Sequence, residues 1–125
     1  MSLEIGLSGA VTIVVSNADT AVAMGSGSVD VLATPRVVAL VEQATCAAIV
    51  GHLDPGCTTV GMRVELDHLR PTPVGGTVTA EAVLEEVRGR KLTFAVSATD
   101  TKGEVAVGKV TRIVVEVERF MGTAR

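Results

Sequence analysis

The chain has 125 residues and a formal net charge of −3, with no basic run long enough to follow a phosphate backbone. Two Phe and no Trp or Tyr count against nucleic-acid recognition by base stacking and leave a core of Val, Ala, Leu, Ile and Met. With 47% hydrophobic and 20% charged residues, the composition suits one folded domain, residues 1–125, and not a disordered chain.

SGAVTIVVS (8–16) reads as a β-rich run, and Asn17 to Val31, containing MGSGS, as a flexible connection. ATPRVVALVEQATCAAIV (33–50) follows. Thr34 then Pro35 is a helix-start signature: a hydroxyl residue at the N-cap and proline at the first helical position. The helix is expected to run to about Leu53, where Asp54-Pro55-Gly56 stops it.

TTVGMRVELDH (58–68) alternates, with Val60, Met62, Val64 and Leu66 on one face and Arg63, Glu65 and Asp67 on the other. RPTPVGG (70–76) leads to the strand VTAEAVLEEV (78–87). RGRK (88–91) turns into LTFAVSAT (92–99), and DTKG (100–103) into EVAVGKVTRIVVEVE (104–118). One helix and an antiparallel meander make a two-layer α+β domain. The helix is apolar around most of its circumference, with Arg36 and Gln43 sharing one side, so a second subunit is expected to help the sheet cover it. A two-fold homodimer is the simplest arrangement.

MSLEIGLSG has no positive n-region, and Glu4 interrupts its apolar start, so a secretory leader is not expected. No run of about 18 apolar residues suggests a membrane span. Cys46 and Cys57 make only one possible pair and read as reduced thiols of a cytoplasmic protein. No metal site is expected: His52 and Cys57 flank a Pro-Gly turn, with no second ligand pair. GSGS lacks the lysine and spacing of a phosphate-binding loop.

Glu42 is the anomaly in the helix. At about 100° per residue it falls roughly 110° from the Arg36/Gln43 side, between Val38, Cys46 and Ile49. Burial there favours the neutral acid unless a donor or cation holds the carboxylate ionised. Thr34 lies eight residues earlier, roughly 80° around the helix, near free helix N-terminal amides. Strand parity puts His68 on the face of Val64 and Leu66, toward the helix. An inward carboxylate and an inward imidazole suit acid–base or nucleophilic chemistry near neutral pH. Each also has a structural reading: Glu42 paired with Arg112 or another cation at a subunit interface, Thr34 a plain N-cap, His68 an edge-of-core histidine.

The patterns ATPR-x5-E, H-x-R-P-T-P-V-G and G-x-x-x-R together resemble the hotdog-fold thioesterases, specifically the fluoroacetyl-CoA thioesterase-like group, over roughly residues 8 to 118. The resemblance implies a long central helix wrapped by a curved antiparallel sheet of about five strands, dimers or higher oligomers, and acyl-CoA as substrate, with no cofactor. It implies that Thr34, Glu42 and His68 are catalytic, and that Gly61 and Arg112 help shape the site. Parity sets Gly61 opposite His68 unless a bulge intervenes. The fluoroacetate-selective member closes its pocket with an aromatic lid before the helix. MGSGSVDV has no aromatic, which implies a different or larger acyl group.

The expected activity is hydrolysis of a short or medium acyl-CoA, with Glu42 attacking the carbonyl or activating water. For the CoA phosphates, the candidates are Arg70 and the Arg88/Arg90/Lys91 turn, the latter read first as a solvated hairpin because charged turns are common. Two rivals stand. A non-catalytic acyl-CoA-binding or regulatory domain shares the fold, and an enoyl-CoA hydratase would use an Asp-x4-His arrangement that this chain lacks.

Overall fold

The alternating pattern of the chain's second half folds into four long antiparallel strands: β2 (Cys57–His68), β3 (Thr77–Arg88), β4 (Lys91–Asp100) and β5 (Gly103–Glu116). β1 (Ser8–Val14) completes a five-stranded sheet in the order β1-β3-β4-β5-β2, so β1 and β2 are its edges. The computed structural model describes residues 2–125.

The long helix spans Thr34–Ile49 and touches all five strands, most closely β1 and β3. A straight helix reaches every strand only where the sheet curves around it. Register breaks at Gly61/Arg63, Leu84/Glu86 and Ala98/Thr99 supply bends. The helix buries Val37, Leu40, Val41, Ala44, Thr45, Ala48 and Ile49 against a sheet face that includes Leu84, Leu92, Phe94 and Val110. Each such Leu or Val contributes on the order of 1.5–3 kcal/mol. Gly9 permits the closest approach, because a Cβ there would strike the helix backbone between Ala44 and Ala48. This is the expected long helix in a curved antiparallel sheet.

The details correct several expectations. The N-cap is Ala33, whose carbonyl accepts from Arg36 and Val37 N–H, and Thr34 is already the first helical residue. Its hydroxyl is therefore free to serve something other than the helix end. The helix stops at Ile49, not Leu53, because Gly51 takes a left-handed conformation (φ 82°) two residues later. The stretch from Asn17 is ordered into a 3-10 turn (Asn17–Asp19) and a short helix (Ala21–Met24). We number the helices α1 (Ala21–Met24), α2 (Thr34–Ile49) and α3 (Val117–Ala124). Val117 and Glu118 were expected at the end of the last strand, but the β2–β5 ladder ends at Glu116 and VERFMGTA is helical.

The parity of β2 also changes partway. Met62 is skipped in the β2–β5 register, so Thr59 and Gly61 share the inward side with Val64, Leu66 and His68. Val60 and Met62 therefore do not share a face with Val64. Thr59 is buried and Met62 is 52% exposed.

Candidate active site

Three local features build the site. α2 begins one residue earlier than its N-cap signature suggests, which turns the Thr34 hydroxyl toward the end of β2. Thr34 Oγ1 lies 2.7 Å from His68 Nδ1. His68 Nε2 is buried and, among the described residues, has no hydrogen-bond partner. Burial lowers the His68 pKa from its ordinary 6.5, partly offset by the Arg70 backbone, so the ring is neutral near pH 7.

Thr34, His68 and Arg70 line one cavity of about 260 Å³ together with Ala21, Ser26 and Val31. The last three come from the segment between β1 and α2, a strap that forms one side of the cavity. Its ends are pinned. Ala21 N–H donates to Val31 C=O at 2.9 Å, and Ala33 N–H to Asp19 C=O at 2.9 Å. The Asp19 carboxylate accepts from the Ser16 backbone N–H at 2.8 Å and from Arg36 Nε at 2.8 Å. The Ser16 N–H, then Arg36 and the Ser16 hydroxyl, hold its pKa below 3.8 against a burial effect in the opposite direction.

The β2 bulge builds the second feature. It turns Gly61 inward, opposite Arg112 in the β2–β5 ladder and against Glu42. A Cβ at Gly61 would sit 2.5 Å from Glu42 Oε2, so only glycine leaves the carboxylate room. Arg112 approaches the same oxygen at 3.4 Å and is fixed by donating to Thr59 Oγ1 (2.8 Å) and Thr59 C=O (3.0 Å). The guanidinium side chain is only 8% exposed, against 35% for Glu42. The cation is thus buried and anchored, while the carboxylate it holds reaches toward open space.

The third feature surrounds Arg70. Its guanidinium pairs with Asp100, whose carboxylate also accepts from Thr72 Oγ1 at 3.0 Å and Lys102 N–H at 2.8 Å. Burial would raise the Asp100 pKa, but these donors outweigh it and lower the value.

The structure thus joins Thr34 to His68 and joins Glu42 to Gly61 and Arg112. Within one chain it does not bring the two groups into contact. Eight helical residues separate Thr34 from Glu42, about 12 Å of rise. Sequence reasoning missed Thr59, Thr72 and Asp100. Asp100 was read only as part of a turn, and Thr59 was hidden by the parity error at Met62. Arg88, Arg90 and Lys91 are exposed at the β3–β4 turn.

Comparison with known proteins bears on this geometry. A sequence profile described as "FlK: Fluoroacetyl-CoA-specific thioesterase" matches residues 15–118. The fluoroacetyl-CoA thioesterase of Streptantibioticus cattleyicolor is 38% identical over 96 residues, covering 77% of this chain and 69% of that protein. A solved structure of the fluoroacetyl-CoA thioesterase FlK superposes with a TM-score of 0.93 at 30% identity, covering 100% of this chain and 97% of that one. A thioesterase superfamily member from Thermus thermophilus, 23% identical, superposes with a TM-score of 0.92 over 99% of this chain and 92% of its own, and so shares the fold.

Proposed function

The chain belongs to the fluoroacetyl-CoA-specific thioesterase family of hotdog proteins, and we propose that its site hydrolyses the thioester of a short or medium acyl-CoA. One observation carries the reading: Thr34 and His68 are hydrogen-bonded at a cavity wall, and the buried His68 Nε2 has no partner among the described residues. An imidazole oriented by a hydroxyl at one nitrogen and unsatisfied at the other is poised for a ligand atom.

Glu42, oriented by Arg112, attacks the thioester carbonyl or activates the water that does so. With Thr34 donating to Nδ1, the ring hydrogen sits on Nε2, where it meets the carbonyl oxygen or the departing thiolate. Thioester and water give acid and thiol, and no cofactor enters the balance. Arg70, on the wall of the same cavity, borders the bound acyl-CoA. Oxygen-18 passing from labelled water into the enzyme carboxylate in a single turnover would mark direct attack.

The working unit is a cytoplasmic homodimer of single-domain subunits, residues 1–125. β2 is an edge strand of 12 residues with an exposed apolar Met62, an edge that another strand can satisfy. On α2, Val38 is half-buried and Cys46 is exposed, an uncovered strip beside Glu42. Antiparallel pairing of two β2 strands runs Gly61 of one subunit toward His68 of the partner subunit. Glu42 of one chain then serves the Thr34–His68 pair of the other. The free thiols of Cys46 and Cys57 suit a reducing compartment. Among the described residues no helix is long and apolar enough to cross a membrane.

Thiol release from a panel of acyl-CoAs of increasing chain length tests the activity. The expected result is turnover of short and medium esters without selectivity for fluoroacetyl, because the strap is lined by Ala21, Ser26 and Val31 and has no aromatic. Binding of the esters with no release across the panel would mark a binding module instead.

A further inference from the structure

We propose that Asp100 is a positioning residue of this site, holding both walls of the Thr34–His68 cavity through Arg70 and Thr72. The inference rests on the thioesterase reading above. Asp100 lies at the end of β4, with its carboxylate only 7% exposed. It accepts from the Arg70 guanidinium and the Thr72 hydroxyl, so it grips the two residues on either side of Pro71. A third bond, from Lys102 N–H at 2.8 Å, fixes the carboxylate to its own turn.

Two walls depend on that grip. The first is the end of β2. His68 is two residues from Arg70, and Leu69 N–H donates to Val105 C=O at 2.7 Å, so the strand end is tied to β5 beside the Asp100 pair. Arg70 also reaches the Glu104 carbonyl at 3.4 Å, at the start of β5. The second wall is the strap. Leu32 N–H donates to Thr72 C=O at 2.9 Å, and Val31 bridges to Pro73. Leu32 precedes Ala33, the N-cap of α2, and Thr34 follows it. One carboxylate therefore sets the spacing between the strap that delivers Thr34 and the strand end that delivers His68.

A plain hairpin staple would account for the Lys102 bond alone. The bonds to Arg70 and Thr72 leave the hairpin, at sequence separations of 30 and 28 residues, and end on the segment between His68 and the strap contact. Asn would fit the space but presents an NH₂ group to donors, so it cannot satisfy them all. Small displacements of oriented groups are costly: a shift of about 1 Å can lose on the order of 10²-fold in rate.

The test compares Asp100→Asn, Asp100→Glu and Thr72→Val with wild type, together with Val96→Ala, a core truncation in β4 away from the cavity. Activity on one acyl-CoA is measured well below each variant's Tm. Asp100→Asn is expected to lower kcat by about tenfold or more with little change in KM, and Asp100→Glu to recover part of it. Thr72→Val, which removes one of the donors, is expected to lose less. Val96→Ala is expected to lose stability and keep kcat. The proposal is overturned if Asp100→Asn keeps wild-type kcat, or if Val96→Ala loses as much kcat as Asp100→Asn. If Asp100→Asn does not fold, a Thr72→Val kcat equal to wild type overturns it. Glu42→Gln, run alongside, separates this failure from that of the thioesterase reading: full activity in Glu42→Gln overturns the reading, while its loss with wild-type kcat in Asp100→Asn overturns only the role of Asp100.

Discussion

The Thr34 hydroxyl and the His68 imidazole meet at 2.7 Å across 34 residues of sequence, joining the start of α2 to the end of β2. The contact exists because α2 begins at Thr34 with Ala33 as its cap, so the hydroxyl does not close the helix end. It leaves His68 with one nitrogen engaged and the other buried and open to a ligand.

Gly61→Ala places a methyl group 2.5 Å from Glu42 Oε2. The carboxylate, at the end of a flexible side chain, swings away and the fold survives. The expected loss is about tenfold or more in kcat, with a small change in Tm. Steady-state kinetics and thermal melting on the same sample check it.

Arg112→Met removes the donors to the Thr59 hydroxyl and carbonyl, and leaves Glu42 without its cation. A stability loss of about 1–3 kcal/mol is expected from the buried groups left unpaired. Denaturant unfolding gives that number, and activity is expected to fall with it.

The lowered pKa of His68 has a defined sign. Its folded value lies below 6.5, so between the two values the unfolded chain holds a proton that the native chain does not. Stability therefore falls as pH drops from about 6.5 through the folded value. The acid limb of kcat/KM, which reports the neutral imidazole, lies on the same side of 6.5. Tm between pH 5 and 7.5 is expected to fall less steeply on the acid side in His68→Gln than in wild type.

Ser26→Phe narrows the cavity from the strap side. The expected outcome is a shift of acyl preference toward the shortest chains, read as the ratio of kcat/KM for medium and short esters. An unchanged ratio would mean that the acyl group does not enter beneath the strap.

If each active site draws Glu42 from one subunit and His68 from the other, two inactive variants rescue one another. Glu42→Gln and His68→Ala subunits, mixed and allowed to re-pair, are expected to recover about a quarter of wild-type activity, because half the dimers are mixed and each holds one intact site. No recovery in verified mixed dimers would place both residues in one chain.

Much of this was legible in the residues. The period of ATPRVVALVEQATCAAIV marks α2, and the wheel sets Glu42 off its polar side, where the structure puts it against Arg112. What was hidden depends on contacts that the local pattern does not encode. A bulge at Met62 reverses the parity of β2 and brings Gly61 inward, a change that simple alternation has no means of registering. Thr34 looked like a cap because hydroxyl residues before proline usually are caps, but Ala33 takes that position. Asp100 looked like a turn residue because its partners, Arg70 and Thr72, lie about thirty residues away and join it only through the sheet. Val117 and Glu118 extend the alternation of the last strand yet lie beyond the ladder, which ends at Glu116, and they open α3.

The central claim is that the Glu42 carboxylate performs thioester cleavage, and Glu42→Gln tests it most directly because shape and polarity are nearly kept while the charge is lost. Measured as thiol release from an ester that the wild type turns over, kcat is expected to fall by on the order of 10²–10⁴-fold while the ester still binds. A Glu42→Gln enzyme with wild-type kcat would contradict the account.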